Sequence, residues 1–90
     1  MAVRVSMAHC KYIMFDNGYI RIPIIFPDCI KHSDMAAMLD SKLGKPITAG
    51  FVTLSDGKIA TYGNSISLGL SSDKQEDTIL IDRELNIDRD

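Results

Sequence analysis

The stretch Phe51–Gly63, FVTLSDGKIATYG, decides the fold of this 90-residue chain. Two apolar-rich runs flank Asp56-Gly57, and such a pair between such runs is the strongest short-range signal for a β-hairpin. A two-residue loop at this pair predicts that Ser55 lies opposite Lys58, and it fixes the pairing of every residue beyond them. One face of the hairpin then carries Val52, Leu54, Ile59 and Thr61.

An earlier segment of the chain repeats this design. Tyr12–Ile20 is displaced by 39 residues and has Asn17-Gly18 at the corresponding position. The same displacement brings Ser33-Asp34 onto Ser72-Asp73, and Ser followed by Asp is typical of a helix N-terminus. We therefore predict a ββα unit that occurs twice, in the order ββα-ββ(β)α. The alternative is a chance agreement between two common signals.

The first half is predicted to form a hairpin, from Cys10 to Phe15 and from Tyr19 to Phe26, followed by a helix. The two-residue loop would place Cys10 opposite Ile25. Ser33 is expected to cap the helix, which runs to about Leu43 and ends at Gly44. Alternation places five apolar residues on the core face of the hairpin: Ile13, Phe15, Ile20, Ile22 and Ile24.

The second half offers two alternatives after its hairpin. Alternating residues in Ser65–Ser71 predict a third strand of a meander, and a kinked continuation of the preceding strand is the other interpretation. Ser72-Asp73-Lys74-Gln75 has the form of a capping box, so a helix over roughly 73–85 is expected, although Thr78–Ile81 fits a strand equally well. The predicted class is α+β: one antiparallel sheet of four or five strands with two helices on one face.

Length and composition predict one compact domain covering residues 1–90. Hydrophobic residues make up 46% and charged residues 24%, as in ordinary folded proteins. Arg4, His9 and Lys11 interrupt any apolar signal segment. The most apolar region, 12–30, is broken by polar residues and proline, so it cannot cross a bilayer. We expect a cytoplasmic protein with no membrane association.

The charge of the chain is unevenly distributed. Residues 1–72 contain seven Lys/Arg against five Asp/Glu, whereas residues 73–90 contain three against seven. No cluster of Lys or Arg offers a phosphate-binding surface, so direct nucleic-acid binding is not expected. An acidic C-terminal surface could instead bind a protein partner, the alternative being a solvated helix face. The candidate partner-binding residues are Asp73, Glu76, Asp77, Asp82 and Glu84.

A second way to bind a partner is an exposed sheet edge. Pro23 cannot donate a ladder hydrogen bond, which indicates that its strand has a free edge over part of its length. Such an edge can accept a strand from another protein or from a second copy of this chain, giving a homodimer.

The candidates for metal binding and catalysis are few. His9, Cys10, Cys29 and His32 are the possible zinc ligands, but adjacent strand residues point to opposite faces, so the set is incomplete. We interpret the two cysteines as small buried hydrophobic residues, expect no metal or cofactor, and place His32 at the helix entry. Cys29 and His32, with Asp28 or Asp34, could form a nucleophilic site, yet no known nucleophile motif surrounds them.

A small-ligand or anion site is the alternative function. Five small polar residues lead into the second predicted helix, where backbone N–H groups and the helix dipole favour anions. These residues are Asn64, Ser65, Ser67, Ser71 and Ser72. A solvated strand face explains them as well, because no Lys or Arg lies among them in the sequence.

These observations favour a small non-enzymatic protein-binding module. Compact acidic α+β chains without a catalytic signature occur among phage-encoded and accessory proteins that inhibit larger assemblies. The expected role is therefore an inhibitor of a nucleic-acid-handling complex, acting through the acidic surface or the β edge. A small enzyme built on Cys29 and His32 is the third hypothesis.

Overall fold

The computed structural model describes residues 10–55 and 58–87. The Asp56-Gly57 corner and the segment that contains His9 lie outside these residues. Neither of the two helices is long and apolar enough to span a membrane. The elements are β1 (Cys10–Asp16), β2 (Arg21–Pro27), α1 (His32–Leu43), β3 (Lys45–Ser55), β4 (Lys58–Tyr62), β5 (Asn64–Ser65), β6 (Leu70–Ser71) and α2 (Lys74–Ile87).

The main sheet is antiparallel and has four strands in the order β2-β1-β3-β4, and β5 and β6 form a separate two-stranded sheet. The predicted α+β class with an antiparallel sheet is thereby confirmed. The predicted pairing of β3 with β4 is also confirmed, from Ser55 opposite Lys58 to Phe51 opposite Tyr62.

The first hairpin has a longer loop than the Asn17-Gly18 signal predicted. Its strands pair Asp16 with Arg21 and Cys10 with Pro27, so the prediction that Cys10 faces Ile25 is wrong. Side chains explain the four-residue loop. The Oδ1 of Asp16 accepts the N–H of Gly18, and the Oδ1 of Asn17 accepts those of Tyr19 and Ile20, as Asp and Asn commonly do in turns. Ile20 therefore leaves the core face and is 61% exposed.

The two helices cover opposite faces of the sheet, which corrects the prediction that they share one face. Ile13 and Phe15 of β1 pack with Ala36 of α1, whereas Tyr12 and Met14 pack with Ile81 of α2. Successive strand residues point to opposite faces, and all four of these β1 residues are fully buried. A central strand that is apolar on both faces requires a cover on each.

Both helices begin at other residues than predicted. The N-cap of α1 is Lys31, which makes no side-chain cap hydrogen bond, so Ser33 is not the cap. Gly44 does end this helix, with a φ of 101°. At α2 the Oδ1 of Asp73 accepts the N–H of Glu76, so Asp73 provides the cap predicted for Ser72. Residues 78–81 are helical. The ββα repeat is not confirmed, because the two helix starts are not equivalent.

Residues 64–71 fold back on themselves instead of forming the third strand of a meander or a continuation of β4. The N–H of Gly69 donates to the carbonyl of Ile66, and the N–H of Leu68 donates to the hydroxyl of Ser65. These bonds close a turn, and a φ of 66° at Gly69 completes it. Leu68 and Leu70 pack against the core on the α1 side, while Ile66 is 91% exposed.

Candidate functional site

A groove lies between the edge strand β2 and helix α2. Its volume is about 320 Å³, at the lower end of typical binding sites. Ile20, Pro23 and Leu80 are its apolar lining residues. Four charged residues of both signs complete the lining: Arg21, Glu76, Arg83 and Glu84. The groove thus combines apolar and charged side chains, as protein interfaces do.

The edge strand favours recognition by side chains over strand addition. Pro23 and Pro27 both lie in β2, and neither has an N–H to donate to an added strand. The two prolines interrupt the row of donors that pairing with another chain would use. A partner at this edge would therefore contact the side chains of the groove. The predicted homodimer would pair strands at a sheet edge, and β2 suits such pairing less well than it suits contact through side chains.

Arg21 is one of the charged residues that line the groove. Its Nε lies 3.9 Å from the Oδ2 of Asp16, and its Nη1 lies 3.9 Å from the Oε1 of Glu76. Both pairs are long and solvent-exposed, so they contribute little to stability. They leave the guanidinium and the Glu76 carboxylate accessible to a partner, and the side chain of Glu76 is 51% exposed.

The loop beside the groove presents two large apolar side chains to solvent. Tyr19 is 93% exposed and Ile20 is 61% exposed. The loop N–H groups donate to the Oδ1 atoms of Asp16 and Asn17 over 2.7 to 2.9 Å. The backbone that carries Tyr19 is thus held in place by its neighbours. An exposed tyrosine on a fixed backbone is a favourable anchor for a protein interface.

The predicted acidic residues do not form one continuous surface. Glu76 and Glu84 lie at the groove, whereas Asp82 lies near Lys58 of β4, on the other side of α2. Asp73 caps the helix. Asp77 is fully buried and cannot contact a partner. Asp77 is buried because it lies on the face of α2 that packs against β1. The other acidic residues lie on other faces, because successive residues of a helix point to different sides.

Asp77 belongs to a buried polar cluster that attaches α2 to the sheet. The hydroxyl of Tyr12 donates to its Oδ2 over 2.5 Å, and the N–H of Asp73 donates to the same oxygen over 3.0 Å. Burial and this carboxylate raise the pKa of Tyr12 well above its ordinary value. Thr61 extends the cluster, since its Oγ1 donates to the carbonyl of Lys74. The cluster is closed to solvent, so its role is structural.

A second cavity, of about 320 Å³, lies on the opposite face of the sheet. Three of the five predicted ligand-binding residues line it, namely Asn64, Ser65 and Ser67, whereas Ser71 and Ser72 do not. Lys11 of β1 and Lys31 before α1 lie in the same wall. The sequence analysis missed both lysines, because they meet the serines only through the pairing of β1 with β3, which no local signal reveals.

His32 is a core residue at the start of α1. It is 5% exposed, and its Nε2 lies 2.9 Å from the carbonyl oxygen of Gly50. Its ring meets those of Phe26 and Phe51 edge-on. Burial lowers the pKa of His32, which favours a neutral ring that donates to Gly50. The ring is committed to the core, which gives the nucleophilic-site hypothesis no support.

The cysteines have different environments. Cys29 is exposed, so the interpretation of this residue as a buried hydrophobe is wrong, while Cys10 is partly buried and both are unbonded. Burial raises the pKa of the Cys10 thiol, with a smaller contribution from Asp28, and a raised pKa disfavours the thiolate. Within residues 10–55 and 58–87, no three His, Cys, Asp or Glu side chains form a group that could hold a metal ion.

No known family model matches this chain, and neither a curated protein nor a solved structure matches it.

Proposed function

We propose that this chain is a non-enzymatic protein-binding module that docks its partner in the groove between β2 and α2. The observation that carries the proposal is the exposed apolar side chain of Ile20, which lines the groove together with Pro23, Leu80 and charged residues of both signs. Exposed apolar patches with a polar rim mark interaction sites. Tyr19 extends this surface beyond the groove.

The charged lining residues specify the chemistry of the partner. Arg21 and Arg83 would face acidic groups, and Glu76 and Glu84 would face basic groups. A surface of mixed sign suits a protein rather than a nucleic-acid backbone, which carries only negative charge. An apolar side chain of the partner would contact the apolar lining residues of the groove. A subunit of a nucleic-acid-handling complex is one such partner, bound through the groove rather than through a continuous acidic surface.

The proposal is tested by affinity capture from the native host with three baits. These are the wild-type chain, Ile20→Glu, and Met38→Glu as the matched control. Ile20 and Met38 are similarly exposed, at 61% and 67%, but Met38 lies on α1, on the other side of the sheet. Circular dichroism confirms that all three baits are folded.

We expect the wild-type and Met38→Glu baits to capture the same protein. Its yield should fall at least about tenfold with Ile20→Glu, since a charge at the centre of an interface is poorly tolerated. Capture should persist in about 1 M salt, where exposed charge pairs are screened but apolar contacts are not. Equal yields from the Ile20→Glu and Met38→Glu baits would contradict the proposal.

A further inference from the structure

The cavity on the α1 side of the sheet is formed by four separate parts of the chain. Lys11 comes from β1, Lys31 precedes α1, and Ser67 belongs to the turn between β5 and β6. Phe51 of β3 also lines it. The groove proposed for the protein partner lies on the other face, so the two sites share no lining residue.

The charge of this cavity is unlike that of the rest of the chain. Among the described residues, its lining includes two lysines and no acid, whereas the whole chain has a net charge of −2. The Nζ of Lys11 donates to the carbonyl of Ile30 over 2.9 Å, which fixes the position of the ammonium.

Polar groups of the β5–β6 turn line the same cavity as the two lysines. The Oγ atoms of Ser65 and Ser67 are 3.3 Å apart, and the N–H of Leu68 donates to the Oγ of Ser65. The hydroxyl of Ser67 is on an exposed residue, and Asn64 adds an amide. Hydroxyl and amide donors together with ammonium groups are the usual ligands of phosphate and carboxylate oxygens.

The remaining wall is aromatic and apolar. Phe51 stacks on Tyr62 with ring centroids 5.7 Å apart and meets His32 edge-on. Its ring is therefore fixed on two sides by other rings. Ile66, which is 91% exposed, also lines the cavity. Phe51 and Ile66 thus add apolar surface to the lining of the cavity.

We propose that this cavity binds a small organic anion: a planar ring that carries a phosphate or a carboxylate. The anion lies between Lys11 and Lys31 and accepts hydrogen bonds from Asn64 and Ser67, and the ring lies against Phe51. The volume of about 320 Å³ suits one ring with its charged group. The site is independent of the protein-binding groove.

Phenyl phosphate is a suitable probe. Inorganic phosphate, which has the anion without the ring, and benzyl alcohol, which has the ring without the anion, are its two controls. Binding is followed by isothermal titration and by amide chemical shifts. We expect phenyl phosphate to bind with a Kd below about 1 mM and at least about tenfold more tightly than either part. Benzoate in place of phenyl phosphate shows which anion is preferred.

Three lysine variants test where the probe binds. Lys31 is exposed, so Lys31→Gln should leave the fold intact. This variant should weaken binding about tenfold, which is the effect of losing one charge-assisted contact. Lys11→Gln should have a similar effect. Lys42→Gln, an exposed lysine at the far end of α1, is the control and should bind as the wild type does.

Two results would overturn this proposal. One is the absence of saturable binding by phenyl phosphate and by benzoate. The other is equal affinity in Lys31→Gln and Lys42→Gln, which would place the anion elsewhere. Capture of a protein partner by a Lys31→Gln bait should be unchanged, so the two proposals can fail separately.

Discussion

A buried hydrogen bond joins Tyr12 of the central strand to Asp77 of α2. The Oδ2 of Asp77 receives the Tyr12 hydroxyl and the N–H of Asp73, whereas its Oδ1 is buried without a hydrogen-bond partner among the described residues. A buried carboxylate is expensive to leave unsatisfied. Each bond to this side chain therefore contributes strongly to holding α2 on the sheet.

We predict that Tyr12→Phe lowers the free energy of unfolding by about 1.5–3 kcal/mol, because the ring stays packed while a bond to a charged group is lost. Urea denaturation measures this change. Tyr19→Phe is the control: Tyr19 is 93% exposed, and its variant should lie within about 0.5 kcal/mol of the wild type. Equal stability of the two variants would show that the Tyr12 hydroxyl has no such role.

His32 gives the stability of the protein a pH dependence near neutrality. Its pKa is lowered in the folded state from an ordinary value of 6.5, so the unfolded chain binds the proton more readily. Stability is therefore complete above about pH 6.5 and falls as the pH drops towards the lowered pKa, by at most about 1.4 kcal/mol per pH unit. A titration of both histidine rings by NMR, with His9→Gln to assign the signals, should show His32 titrating below 6.5. An ordinary or raised value would contradict the prediction.

At the scale of the elements, the connection from α1 to β3 depends on close approach of two backbones. Gly44 has a φ of 101° and a ψ of −147°, a conformation almost restricted to glycine. A Cβ at this position would overlap the backbone of Asp16 and Asn17. The end of α1 thus lies directly against the loop of the first hairpin, where there is no space for a side chain.

Gly44→Ala should destabilise the fold by more than about 2 kcal/mol, since backbone strain and overlap act together. Gly18→Ala is a matched control, with a φ of 95° and no atom within 4 Å of the added Cβ. Strain alone should cost it about 1 kcal/mol. Thermal denaturation of both variants tests the difference. A larger loss in Gly18→Ala would mean that the contact with Asp16 is unimportant.

Local signals in the sequence predicted some elements well and others poorly. The pairing of Ser55 with Lys58 follows from the position of Asp56-Gly57, because a two-residue loop fixes its register. Asn17-Gly18 gave the wrong loop, since the side chains of Asp16 and Asn17 compete for the loop N–H groups. Helix N-caps also depend on tertiary contacts. His32, the first residue of α1, is held in place by the hydrogen bond between its ring and the carbonyl of Gly50.

At the scale of the molecule, one strand belongs to both cores. Ile13 of β1 packs on the α1 side and Tyr12 on the α2 side. The uninterrupted apolar run of four residues, 12–15, was the signal for two covered faces, since a strand with one solvated face alternates. The candidate sites were less predictable, because the groove joins Pro23 to Leu80 and the cavity joins Lys11 to Ser67, pairs that are far apart in sequence.

Because β1 is shared, we predict that the two helical layers unfold together. Ile81→Val on the α2 side and Ile13→Val on the α1 side should each lower stability by about 1 kcal/mol. Amide hydrogen exchange should show the same decrease in α1 and in α2 for either variant. A decrease confined to the helix nearest the substitution would indicate that the layers open independently.

In the proposed complex, the loop that presents Tyr19 would affect the rate at which the two proteins associate. The loop N–H groups already donate to Asp16 and Asn17. The loop therefore needs little conformational change when the partner binds. A ring presented in this way adds contact area with a small loss of entropy. A substitution of Asn17 that removes its hydrogen bonds to the loop would then slow formation of the proposed complex. The side chains that contact the partner would stay unchanged.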